Sequence, residues 1–201
     1  MSTYPAATWR PGPRSKTGYP GAISNTGGGV ILHSMVGSYA AAMGRLDSED
    51  RASWHFSVCQ DGRVFQHYDS SAVCWHAGSL QWNERLIGIE HEGGAPGNES
   101  EPLTDVQKVA SAQLVAWLAQ THGFALERQN GLWEHREVYQ TACPSGRIPW
   151  AFIMEGEMTD AQMQELKDYI DGKFQTQQNW ITMRFVALIG WLVANFPKPP
   201  G

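Results

Sequence analysis

His135 and Cys143 stand eight residues apart (143 − 135 = 8) in the polar stretch WEHREVYQTACPSGRIPW, and both side chains bind zinc well once deprotonated. Two donors alone do not define a site. His33, at the end of the apolar run in GGVILHSM, is the third candidate, because a catalytic zinc takes three protein ligands and keeps a fourth position open. The plainer reading of His33 is an ordinary strand-end histidine. Glu90, in LIGIEHEG, is a carboxylate on a strand face beside a glycine, which would suit a general base with room for a ligand. Its plainer reading is a sheet-edge carboxylate in solvent. A third arrangement makes Cys143 a nucleophile with His135 as its base. Pro144 counts against it, since the N–H after a nucleophile often helps to form an oxyanion hole and proline has none.

These residues need elements to hold them. Val30 to Leu32 reads as a short buried strand that places His33 at its end. Ser38 to Met43 predicts one or two helical turns, and the polar GRLDSEDRAS behind it a loop. Trp54–Cys59 and Arg63–Tyr68 alternate on either side of Asp61-Gly62 and predict a hairpin. Cys74–Ala77 and Leu86–His91 read as further strands. In the second, Ile87, Ile89 and His91 share one face, and Gly88, Glu90 and Glu92 the other. Thr104 and Gln107 form a capping-box signature, followed at helical spacing by Val106, Val109, Ala110, Leu114, Trp117 and Leu118 up to Gly123. Residues 1–28, with Arg10, Arg14 and Lys16 and no acid, read as an extended arm that wraps rather than packs. Residues 131–150 read as a loop without a long element.

The 201 residues suit one domain with an attachment, and 42% hydrophobic against 17% charged residues excludes disorder for the bulk. A net charge of −5 argues against nucleic acid as a partner. Three cysteines are too few for a disulfide framework; Cys59 and Cys74 read as small buried hydrophobes. His55, His67, His91 and His122 read as structural or surface residues. The N-terminus shows no secretory signal, so synthesis in a cytoplasm is expected. Nine tryptophans suit either core filling or a surface for planar or sugar-like groups.

The strings VILHSM, SWHFSV, CWHAG, WNERLIGIEHEG and EHREVYQTACPSG, in that order across residues 29 to 150, together resemble the zinc N-acetylmuramoyl-L-alanine amidases and the related peptidoglycan recognition proteins. Within that family the chain looks most like a phage endolysin. The resemblance implies an α/β fold with a central mixed β-sheet flanked by helices, one zinc ion held by His33, His135 and Cys143, and Glu90 as general base. It implies Thr141 near the oxyanion, and Trp54, Trp75, His76 and Trp82 along the substrate groove. Trp54 stands where several relatives carry a tyrosine, and Cys143 where some carry aspartate. The implied reaction is hydrolysis of the bond between N-acetylmuramic acid and L-alanine in bacterial peptidoglycan, by a protein made in the host cytoplasm and acting on the wall after release. The alternatives are a non-catalytic peptidoglycan-binding module of the same fold and a cytoplasmic muropeptide-recycling amidase.

The chain reads as a catalytic domain over 1–154 and a C-terminal helical extension over 155–201, the latter outside the strings that carry the resemblance. Thr159 and Gln162 open a helix with Met163, Leu166, Ile170 and Phe174 on one stripe. Trp180 to Phe196 is apolar on several faces, so a helix there must be buried against something. Lys173, Arg184 and Lys198, with no acid in 172–201, suit an anionic target. Membrane or wall contact through residues 176–201, packing on the domain and assembly into a homo-oligomer are the readings that follow.

Overall fold

A strand apolar on both faces must be covered on both, and that condition organises the molecule. The computed structural model describes residues 3–18 and 24–155. Within them, Ala7–Trp9 (β1), Val30–Ser34 (β2), Phe56–Val58 (β3), Val64–Gln66 (β4), Ile87–His91 (β5) and Leu132–Glu134 (β6) form one mixed sheet in the order β1-β4-β3-β5-β2-β6. Every residue of β2 is buried, between β5 and β6, both parallel to it. The antiparallel pair is the expected hairpin, β3 with β4, trimmed to three residues each and turning at Gly62 with φ +85°. Helices Tyr39–Asp47 (α1), Leu80–Asn83 (α2), Asp105–His122 (α3), His135–Val138 (α4) and Trp150–Glu155 (α5) flank the sheet.

Helix α3 covers one face. Val30, Leu32, Ile87, Ile89, Phe56, Val58 and Leu132 pack with Ala110, Leu114 and Leu118 of α3 and with Ile153 of α5. The Thr104 hydroxyl accepts from the Gln107 amide at 3.2 Å, and Gly123, with φ +76°, ends the helix. The Gln107 side chain does not close the expected box. It donates instead to the carbonyls of Val58 (2.9 Å) and Glu92 (3.0 Å), tying the helix to the sheet.

Four further expectations need correction. The N-terminal arm packs: β1 pairs in parallel with β4, Tyr4 is buried against Trp117, and buried Lys16 donates to the Arg45 carbonyl at 2.9 Å. Cys74–Ala77 is not a strand, apart from a single bridge between Thr17 and Cys74, because Asn83 Oδ1 accepts the amides of His76 (3.1 Å) and Ala77 (2.8 Å) in place of a ladder. Helix α1 runs on through the segment read as a loop to Asp47, held by fully buried Leu46. Strand β6 lies inside the supposed loop, its register against β2 set by Val30↔Leu132. No helix among the described residues is long and apolar enough to cross a membrane. The helix expected from Thr159 and the apolar run Trp180–Phe196 lie outside the described residues.

His55 and His67 sit beneath the sheet as neutral rings. His55 Nε2 donates to the Ala72 carbonyl (2.8 Å) and its Nδ1 accepts from the Gly88 amide (2.9 Å). His67 Nδ1 donates to the Arg10 carbonyl at 2.8 Å. Its Nε2 takes the Ser57 hydroxyl at 2.8 Å, and Ser57 in turn accepts from the Trp54 indole at 2.9 Å. Burial lowers both rings from 6.5 to about 4. Below pH 6.5 the unfolded chain therefore binds protons that the folded protein refuses until about pH 4, so stability falls as pH drops through that window and is flat with respect to these rings above it. At pH 5 the loss should be on the order of 2 kcal/mol per ring. Urea denaturation at pH 7.5 and pH 5 measures it; equal stabilities would contradict the assignment.

Candidate active site and metal-ligating triad

Paired residues on parallel strands point to the same side of a sheet. The register His33↔Glu90 therefore places both on the face opposite α3, while Leu32, Ile89 and His91 face the helix. On β6, Trp133 pairs with Ile31, so alternation carries His135, one residue beyond the strand, to the same side as His33. His135 opens α4. There the Glu134 amide donates to Glu137 Oε2 (2.6 Å), and Arg128 binds Glu137 Oε1 (2.6 Å) while lying 3.7 Å over the Trp150 ring. The Arg136 amide donates to the Cys143 carbonyl at 2.9 Å, which clips the Cys143 loop to α4.

These constraints bring His33, His135 and Cys143 together, with one donor atom from each lying within 4.8 Å of the others. The spread is somewhat wider than the roughly 3.5 Å edge of a tetrahedral zinc shell. Cys143 Sγ is 3.9 Å from His33 Nδ1 and accepts the Ser34 amide at 3.3 Å. Glu90 Oε1 is 4.0 Å from His33 Nδ1. The triad and Glu90 line a cleft of about 490 Å³ whose other walls include Trp54, Trp75, Tyr139, Val36, Arg45 and Arg51.

Burial governs the electrostatics. It pushes the Glu90 carboxyl up to about 8, against the pull of Arg45 and Arg147, and the Cys143 thiol up to about 12, with Glu90 adding to the rise. It drives His33 well below 6.5 and lowers His135 as well. Four ionisable groups are thus crowded and desolvated, each pushed toward its neutral form. His135 Nε2 and Glu90 Oε2 are buried with no hydrogen-bond partner among the described residues. A divalent cation answers each of these features: it takes neutral imidazoles, stabilises the thiolate and draws the carboxyl toward its charged form. The residues present fit a metal.

The remaining sequence candidates sit in different relations to the cleft. Trp54 lines it, its indole N–H committed to Ser57. Trp75 forms a wall, with Arg51 4.8 Å over its ring and its N–H donated to the Gly18 carbonyl at 2.9 Å. His76 lies at the floor, nearly buried, with both nitrogens bonded inside the protein. Trp82 packs on Trp133, ring centres 5.1 Å apart, and is not among the residues that line the cleft. The Thr141 hydroxyl accepts the Cys143 amide at 3.2 Å and braces the Cys143 loop without itself lining the cleft.

Three features escaped the sequence reading. Arg147, in the same string as Cys143, is buried and donates to Ser34 Oγ (2.8 Å), to the carbonyl of Glu101 (2.6 Å) and to that of Glu92 (2.8 Å), bracing the strand ends under the site. Tyr139 stacks on His135 at 5.7 Å and is 51% exposed. Val36, 46% exposed at the rim, holds φ +53°, a conformation a β-branched residue adopts only under constraint. A surplus of exposed apolar groups beside a ligand loop is a signal that a sequence alone does not carry.

Residues 25–146, which include the triad and Glu90, match the N-acetylmuramoyl-L-alanine amidase family. The chain belongs to that family. Among the family's relatives of this chain, endolysin PlyTW of Staphylococcus phage Twort is 28% identical over 157 residues, covering 70% of this chain and 32% of its own length. N-acetylmuramoyl-L-alanine amidase A of Achromobacter lyticus is 33% identical over 121 residues, 58% of this chain and 63% of its own. The chain thus spans about a third of the first and under two thirds of the second. The solved endolysin amidase LysCS from Clostridium intestinale superposes with a TM-score of 0.54 at 21% identity, over 76% of this chain and 95% of its own, a likeness of fold.

For this family member, cobalt(II) tests the donor set. Titration should produce a thiolate-to-metal absorption band in the wild-type chain and none in Cys143→Ala. A band of full strength in Cys143→Ala would remove the thiol from the triad.

Proposed function

We propose that this chain is a zinc-dependent N-acetylmuramoyl-L-alanine amidase that cleaves the amide between the muramic acid lactyl group and L-alanine in peptidoglycan, as a phage-type lysin. The observation that carries this reading is the convergence of His33, His135 and Cys143 within 4.8 Å, with Glu90 4.0 Å from His33, in a cleft of a chain that belongs to this family.

A zinc ion held by His33, His135 and Cys143 would act as a Lewis acid toward the scissile carbonyl and acidify water in the cleft. Glu90 does the proton work. Its Oε2, without a partner among the described residues, accepts a proton from the attacking water and returns it to the departing L-alanine nitrogen, without which the C–N bond does not break readily. The indole at Trp54 cannot share that task, because its one proton is bound to Ser57. Arg45 and Arg51 give the rim a positive charge suited to an anionic glycopeptide, and Trp75 and Tyr139 offer flat apolar walls to it. Wall contact or self-association through residues 176–201 is supported by their composition, with Arg184 and Lys198, no acid and many apolar residues.

Release of new L-alanine α-amino groups from purified sacculi tests the reading: a chelator should abolish release and zinc restore it. Soluble muropeptides as the better substrate would favour a recycling enzyme, and no release from either by zinc-loaded protein would favour a binding module. Glu90→Gln should lower kcat by roughly 10²- to 10⁴-fold with zinc still bound. Unchanged turnover in Glu90→Gln would remove Glu90 from proton transfer.

A further inference from the structure

The ring of His33 has two nitrogens, and a metal can use only the one that carries no proton. Nothing in the imidazole itself decides which one that is. The decision comes from the other end of the ring. His33 Nε2 lies 3.1 Å from His76 Nδ1, and His76 Nε2 lies 3.0 Å from the carbonyl oxygen of Leu86. A carbonyl only accepts, so His76 must carry its proton on Nε2. Its Nδ1 is then a bare lone pair and can only accept from His33 Nε2–H. The His33 Nδ1 lone pair is left free, on the side of the ring where Cys143 Sγ stands at 3.9 Å and Glu90 Oε1 at 4.0 Å. The opposite tautomer of His33 would set two lone pairs against each other across 3.1 Å in a buried site.

We infer that His76 is a positioning residue that, through the Leu86 carbonyl, selects the His33 tautomer presenting Nδ1 to the metal. The inference rests on reading the triad as a metal-holding site and adds to it a residue outside the ligand set. Several features support a built relay. His76 is backed by Gly88, where a Cβ would lie 2.6 Å from His76 Cγ, so the strand is notched to seat the ring. The His76 amide is held by Asn83 Oδ1 at 3.1 Å. His33 is fixed from behind as well, its carbonyl accepting from His91 Nδ1 at 2.9 Å while His91 Nε2 meets the Ser111 hydroxyl at 2.8 Å.

Imidazole ¹⁵N spectra of the metal-free wild-type chain read the relay directly: His33 should carry its proton on Nε2. Zinc affinity by chelator competition reads its consequence. His76→Phe keeps a ring in the notch but removes the acceptor, and it should weaken zinc binding roughly 10- to 100-fold while His33 becomes a mixture of tautomers. His76→Asn, whose side-chain oxygen can stand where Nδ1 stood, should recover most of that affinity. A His33 proton on Nδ1 in the wild type would overturn the inference, and so would a folded His76→Phe that binds zinc as tightly as the wild type. The ¹⁵N result decides alone if neither variant folds. These readouts are independent of turnover: zinc bound with the expected tautomer but no amine released from sacculi would sink the proposed function and leave the relay standing.

Discussion

The register between β2 and β5 is the constraint on which the rest depends. Leu32 opposite Ile89 and His33 opposite Glu90 assign, in one stroke, two residues to the α3 core and two to the cleft. A slip of one residue would send Glu90 into the apolar layer and Ile89 into the site, so the apolar layer itself holds the register in place. Strand β6 on the other edge of β2 repeats the logic, with Leu132 and Glu134 on the core side and Trp133 on the other. The candidate site is thus a by-product of alternation: the core takes every second residue, and the cleft is lined by those left over.

The same economy explains the number of neutral histidines. His33, His55, His67, His76 and His91 are all buried, and all except His33 give both ring nitrogens to protein partners. Imidazole is the side chain that can donate at one end and accept at the other while staying uncharged, so it can join backbone groups across layers where a lysine or carboxylate would need a counter-charge. His33 is the member whose second nitrogen faces other titratable groups instead of a saturating partner.

The sequence carried most of the residues that meet in the cleft and less of the fold. His33, Glu90, His135 and Cys143 were legible because their strings occur in a fixed order, and the face of Glu90 was legible because β5 alternates cleanly. The hairpin at Asp61-Gly62 and both ends of α3 were legible from local chemistry, since turn glycine and caps act within a few residues. Strands β1 and β6 were not, because three-residue strands at a sheet edge draw their stability from partners far along the chain and leave almost no pattern of their own. Cys74–Ala77 misled for the converse reason: it has strand composition, but a side chain, Asn83, satisfies its amides. The resemblance put His76 along the groove; the tautomer relay we infer for it depends on what each nitrogen meets, which no string carries.

Parallel pairing has a consequence in time. Val30 meets Ile87 at a separation of 57 residues (87 − 30) and Leu132 at 102 (132 − 30), so the centre of the sheet closes through loops that form slowly relative to hairpins and helices. The hairpin β3–β4 and helix α3 can form early and locally. His135 and Cys143 reach His33 only through β6, which leads into α4 and the Cys143 loop. An immature chain therefore holds scattered weak donors, and only the finished sheet offers three at once. Metal capture would act as a latch on the final docking event, shifting the balance toward the mature form without favouring its precursors.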